Sequence, residues 1–369
     1  MRRCRPLADD VAEVARRFKL IETSIALLDR VRPLNLSGEL QRVRQAFVAG
    51  GRAAPAFQYA RRADLSGARR ELSQLLVALE AGGGDAEHHL LAERAQELEL
   101  EASLVEHVAE PGFADLACQR FPLPKEPSAV RTLAEQFSIA APGENSATPD
   151  ILHDSGDARD PKSLWSELQR RLQAERFAVR VELVVGLVSL AAVADGVVRV
   201  RAGAQLTERV ARRIALHEVE GHVRPRAVGE RLGGVFTAGS RGASEDEEGR
   251  AILLEERAGL LDGTRRKELA WRYWAADSLR SGAEFADTVT LLGQRGAALD
   301  VAVELAGRVH RGGGLGRESI YLAGYQRVAT AFARRPELER VVASGRISLD
   351  AAQALLAGSI ELDDDGDVV

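Results

Sequence analysis

His217-Glu218-Val219-Glu220-Gly221-His222 sets two imidazoles on one short stretch with a carboxylate beside the first. Imidazole nitrogens are common ligands of catalytic zinc, and a Glu next to such a ligand is placed to act as general base. In a regular helix, residues i and i+4 differ by about 40° and share a face, whereas i and i+5 differ by about 140°. The second His therefore meets the first only if the helix absorbs one extra residue. A π-type turn does this and is frequent at functional sites, and Gly221 is the residue most tolerant of the distortion.

Two imidazoles need a third partner. Glu245-Asp246-Glu247-Glu248 follows Ser244 downstream and is the nearest rich source of carboxylates. Ser244-Glu245-Asp246-Glu247 fits a capping box, in which the Ser starts a helix and the Glu at the third position reaches back to its backbone. This gives Glu247 a structural role and leaves Glu248 as the preferred third ligand, with Glu247 as the alternative. The remaining histidines, His88, His89, His107, His153 and His310, stand away from the motif.

Two strand-like runs, Phe177 to Leu190 and Val197 to Arg201, precede the motif, the second with the Val198/Val200 alternation of a strand with one wet face. Thr207 is a candidate N-cap for the motif helix. A strand beside a zinc-binding helix can use its free edge to hold an extended peptide. A helix carrying Trp165 and Leu168 comes before the strands. From Leu7 to about Phe137 the apolar spacing is helical, most clearly over Asp85 to Val108, and the chain is helical again after Ser244 apart from Arg311 to Gly316. Ala141 to Lys162 is rich in Pro, Gly, Ser and Asp and reads as a linker or surface loop. The expectation is an α+β, mostly α protein with an N-terminal helical region (1–160), a zinc-peptidase core of gluzincin type with a small β-sheet beside the motif helix (161–362), and a disordered acidic tail (363–369).

Composition narrows the class of function. The chain of 369 residues is 45% hydrophobic, enough for a large core, and carries 50 basic against 55 acidic residues for a net charge of -5. With no concentrated basic face, a nucleic-acid partner is not expected. Cys4 and Cys118 are far apart, which fits neither a disulfide framework nor thiolate ligation and suits a reducing cytoplasm. Met1 to Arg5 is basic but runs into Asp9 and Asp10 without an apolar segment, so no secretory signal is expected. The apolar run from Leu183 to Val200 is broken by Gly186, Asp195, Gly196 and Arg199, so no membrane partner is expected.

The other dense segment is Arg308-Val309-His310-Arg311-Gly312-Gly313-Gly314-Leu315-Gly316-Arg317-Glu318-Ser319-Ile320-Tyr321-Leu322. It lacks the Lys-Ser/Thr ending of a phosphate loop. A flexible loop presenting Arg308, Arg311 and Arg317 toward the site is the better reading, because a guanidinium fork grips a substrate's C-terminal carboxylate in bidentate fashion.

With these segments in hand, the chain resembles the QEGLA-motif proteins, a bacterial family of flavohemoglobin-expression-modulating type related to the microtubule-associated tyrosine carboxypeptidases of animals. The likeness lies in His217 to His222, in Glu247-Glu248-Gly249-Arg250-Ala251, and in the block from Arg308 to Gly324, in the family's order; Pro55-Ala56-Phe57-Gln58-Tyr59 is similar to its PxFxY element. The resemblance implies zinc bound by His217, His222 and Glu248, Glu218 as base, and carboxypeptidase action on a peptide or protein C-terminus, with the basic residues and tyrosine of the late block near the substrate; in the mechanism expected from this set, Tyr321 or Arg317 is the donor to the oxyanion. Arg250 stands where Leu is usual and Arg317 where Lys is usual, and the family's Asn and Gln-Pro are missing from Val223-Arg224-Pro225-Arg226. The pair of motifs also resembles those of dipeptidyl peptidase III, so an aminopeptidase or dipeptidyl-peptidase type of zinc hydrolase is the alternative. A non-catalytic relative with a structural or regulatory role is the other.

Overall fold

The computed structural model describes residues 11–81, 85–139, 151–194 and 196–358. The tail 363–369 and residues 141–150 of the expected linker lie outside the described residues. The fold is α+β and mostly α. Helices Val11–Ile25, Leu36–Val48, Ser66–Ala81, Ala86–Glu106, Phe113–Arg120 and Pro127–Ser138 form the N-terminal part. The expected helix after Asp85 is present, with the Asp85 carboxylate accepting from the His88 amide as its cap.

Strands β1 (Leu152–Asp154), β2 (Arg180–Val184), β3 (Ala191–Ala194), β4 (Val197–Arg201) and β5 (Gln205–Thr207) follow, with helix Leu164–Ala174 between β1 and β2. Strand β4 is central in the order β2-β4-β3, parallel to β2 and antiparallel to β3. Two expectations change here. The run from Phe177 to Leu190 is not one strand, because Gly186, at φ +73°, turns the chain after β2. Both edges of β4 are paired, so the free edges beside the motif belong to β2 and β3. Part of the expected linker is also structured: β1 pairs antiparallel with β5, and the buried Ser155 hydroxyl donates to the Arg201 carbonyl at 2.6 Å.

After Thr207 come Glu208–Leu216, the π-helical turn His217–Val223, Arg224–Leu232, Ala243–Arg257, Gly263–Arg280, Leu299–His310, Ile320–Arg334 and further helices. Apolar burial groups these elements differently from a boundary at 141–162. A small cluster joins Leu164, Leu168, Val198, Val200, Ile214, Val219 and Val223. A large one runs from Val14 through Leu98, Ile252, Trp274 and Val328 to Leu355, so the N-terminal helices and the C-terminal helices share one core. The buried Glu97 in helix Ala86–Glu106 accepts from the Gly242 amide at 3.0 Å, tying the N-terminal part to the start of the acidic helix.

Candidate metal centre

Thr207 opens the motif helix, its side-chain oxygen accepting from the Val210 amide at 3.2 Å. The helix is α-helical to Leu216 and then widens over His217–Val223, where the Arg224 amide reaches the Val219 carbonyl five residues back. The widened turn brings the two rings to one side, 5.1 Å apart between centroids. Gly221 is required for a second reason that spacing does not reveal: a Cβ there would lie 2.6 Å from the Cβ of Ala251 on the facing helix.

His217, His222 and Glu248 are buried, and one ligand atom from each lies within 4.8 Å of the others. Glu248 Oε2 is 3.3 Å from His217 Nε2 and 3.9 Å from His222 Nε2. The opposite ring nitrogens face other carboxylates. His217 Nδ1 lies 2.7 Å from Glu255 Oε1, and His222 Nδ1 lies 2.9 Å from Glu247 Oε1. The Glu255 hydrogen bond fixes His217 with its Nδ1 protonated and its Nε2 lone pair turned inward, whereas Glu247 stands in ion-pair range of His222 Nδ1 without hydrogen-bond geometry.

The donor set fits a zinc ion. Bonds of about 2.0–2.1 Å in a tetrahedral shell put neighbouring donors roughly 3.3 Å apart, the spacing of His217 Nε2 and Glu248 Oε2. The charges agree. Burial pulls the His217 imidazole toward neutrality, but hydrogen bonds to Glu248 and Glu255 outweigh it and push its pKa up to about 10. Burial raises Glu248, yet His217, His222 and Arg317 hold it well below the usual carboxylate range. The pocket thus favours a cation between these side chains.

Glu218 is buried and its side chain makes no hydrogen bond or ion pair among the described residues; burial raises its pKa. Arg317 donates to Glu248 Oε1 at 3.1 Å and to the Tyr321 hydroxyl at 3.0 Å, and the Arg272 guanidinium sits 4.5 Å over the Tyr321 ring. Arg317 therefore borders the triad directly, and Tyr321 is linked to it through Arg317. Arg308 does not reach it, because its Nε donates to the fully buried Glu318 at 2.9 Å. Arg311 is buried and forms no ion pair among the described residues. The glycine block that carries it is packed, not a flexible exposed loop. Gly312, at φ +73°, donates to the Tyr59 hydroxyl at 2.7 Å, and its carbonyl accepts from the Ala109 amide at 2.7 Å. The Phe113 ring leaves no room there for a side chain.

The expected capping box is absent. Gly242, at φ +76°, precedes a helix that begins at Ala243, without a side-chain cap. Glu247 on this helix is buried and faces inward, against His222. Sequence reasoning also missed Glu255, which is fully buried and bonds Arg265 as well as His217. The signal was available: Glu255 follows Glu248 by seven residues, two helical turns along the same face.

A family model described as microtubule-associated tyrosine carboxypeptidase matches residues 44–364 of the chain. No curated protein and no solved structure matches it.

Proposed function

The chain belongs to the microtubule-associated tyrosine carboxypeptidase family, and on that premise we propose that it is a zinc-dependent metallocarboxypeptidase, removing a C-terminal residue from a peptide or protein with Glu218 as general base. The observation that carries this reading is the orientation of the two imidazoles, each with Nδ1 facing a carboxylate, hydrogen-bonded at His217 and in ion-pair range at His222, and each turned by Nε2 toward Glu248.

His217, His222 and Glu248 would hold the ion, which when bound supplies Lewis acidity and brings the pKa of water near neutrality. Glu218, with both oxygens free, takes the proton from the attacking water and returns it to the leaving amine. The Tyr321 hydroxyl, oriented by Arg317, donates to the oxygen on which negative charge develops. The substrate's carboxylate requires a cation that is not already neutralised. Arg308 is bound to Glu318 and Arg317 to Glu248, which leaves Arg311 as the favoured anchor of the three. Strand β3 lies against the π-turn, and by antiparallel alternation Ala191 and Val193 turn their backbone polar groups away from β4. An extended substrate can pair there, although the Val193 carbonyl already accepts from Arg226 at 3.0 Å. No helix among the described residues is long and apolar enough to cross a membrane. A cytoplasmic setting, free of nucleic acid, completes the reading.

Glu218→Gln tests it. The variant is expected to retain stoichiometric zinc by metal analysis and to lose about 10²–10⁴-fold in kcat. N-acetylated peptides with a free carboxylate should be trimmed and C-amidated ones left intact. Unchanged turnover by Glu218→Gln, or cleavage of amidated but not acetylated peptides, overturns the assignment.

A further inference from the structure

The π-turn leaves two successive backbone carbonyls, those of Glu220 and Gly221, without their ordinary helical donors, and residue types identify them. In a regular helix the Glu220 carbonyl accepts from the amide of residue 224, but that amide is used by Val219. The next amide along, which a π-type bond would use, belongs to Pro225 and carries no hydrogen. Gly221 has the same difficulty, since its ordinary i+4 donor is also Pro225. A buried carbonyl with no donor destabilises the conformation that strands it.

Arg250 fills this gap. From the facing helix Ala243–Arg257 its Nη1 donates to the Glu220 carbonyl at 3.0 Å and lies 3.4 Å from the Gly221 carbonyl. The side chain is 5% exposed, and among the described residues it forms no ion pair. Its charge is directed at the turn. Its neighbours serve the same geometry: Ala251 meets Gly221, and Gly249 allows close approach of the helix behind. We infer that Arg250 is a positioning residue for the metal centre, standing in for the amide that Pro225 lacks and holding open the turn that aims His222 at Glu248. The inference rests on the proposed metal site only for its consequence. Its structural content is independent of the metal.

The test compares wild type, Arg250→Leu, Arg250→Lys and Arg250→Leu with Pro225→Ala, using zinc alone as the ligand. Arg250→Leu should weaken zinc affinity, read by chelator competition, by about ten- to a hundredfold, the range typical of lost supporting partners. In the metal-free protein, amide exchange over residues 217–224 should rise by about tenfold, while exchange in the Ile320–Arg334 helix is unchanged. Arg250→Lys, with a shorter donor, should fall between. Pro225→Ala, which restores an amide, should recover part of the loss. Should Arg250→Leu fail to fold, Arg250→Lys with and without Pro225→Ala makes the same comparison. Exchange indistinguishable from wild type, or no recovery on restoring the amide, overturns the inference. If the wild-type protein takes up no zinc, the proposed function fails instead, and the exchange measurement still decides the role of Arg250.

Discussion

At the scale of single residues, Glu255 concentrates most of the electrostatic organisation. It has no solvent exposure, accepts from Arg265 Nε at 2.9 Å and Nη2 at 3.1 Å, lies 3.7 Å from Arg213, and holds His217 Nδ1. Burial opposes its ionisation, but these cations more than compensate and hold its pKa far below the ordinary carboxylate range. Glu255→Gln keeps the shape and removes the charge. Two buried guanidiniums then lose their common counter-ion, a change that typically costs 3–5 kcal/mol; about 3 kcal/mol is expected here because Arg265 retains Glu268. Denaturant unfolding of the metal-free variant measures this. The freed imidazole should also bind zinc about tenfold more weakly or worse. Full stability together with unaltered zinc affinity would mean that His217 is oriented by something other than Glu255.

At the scale of elements, the acidic helix Ala243–Arg257 and the helix Ile320–Arg334 cross where each has a glycine. A Cβ on Gly249 would lie 2.1 Å from the Gly324 carbonyl carbon, and one on Gly324 would lie 2.1 Å from the Glu245 carbonyl oxygen. These obstacles are backbone, so no rotamer relieves them. Gly249→Ala must separate the helices, and since Glu248 is adjacent and Arg317 and Tyr321 stand at the start of the partner helix, the Arg317–Glu248 contact opens with them. The expected result is a destabilisation of about 1–3 kcal/mol, at least, with a larger proportional loss in kcat than the lost folded fraction explains. Urea unfolding and kinetics on the same preparation separate the two. This crossing shows why the sequence was legible only in part. Periodicity and caps belong to one segment at a time, so Thr207, the helix after Asp85 and the widened turn at His217–Val223 could be read locally. The pairing of β4 on both edges, the docking of Tyr59 on Gly312 and the donation of Arg250 to Glu220 are agreements between distant segments, which a single sequence does not display. The start of the acidic helix differs from the one that the capping chemistry of Ser244 favours, because it is fixed by Gly242 and by Glu97 from the N-terminal part.

For the whole molecule, the two hydrophobic clusters meet at the metal centre. Val219 and Val223, on the turn that bears both imidazoles, belong to the small cluster built around the strands. Ile252 and Leu253, on the helix that bears Glu248, belong to the large helical one. An ion bound by all three side chains would join two units that are otherwise held by side-chain packing. A ligand that binds only the native arrangement stabilises it by RT ln(1 + [L]/Kd), about 2.7 kcal/mol at a hundredfold excess over Kd. In a chain of this length that corresponds to a rise in Tm of several degrees at most, reversed by a chelator. The distribution of the effect is more diagnostic than its size. Without metal, amides in the small cluster should exchange through openings that leave the large cluster closed; with zinc, their protection should rise toward that of the helical body, and the two should open together. A uniform increase across the chain, or one confined to the N-terminal helices, would place the ion somewhere other than between His217, His222 and Glu248.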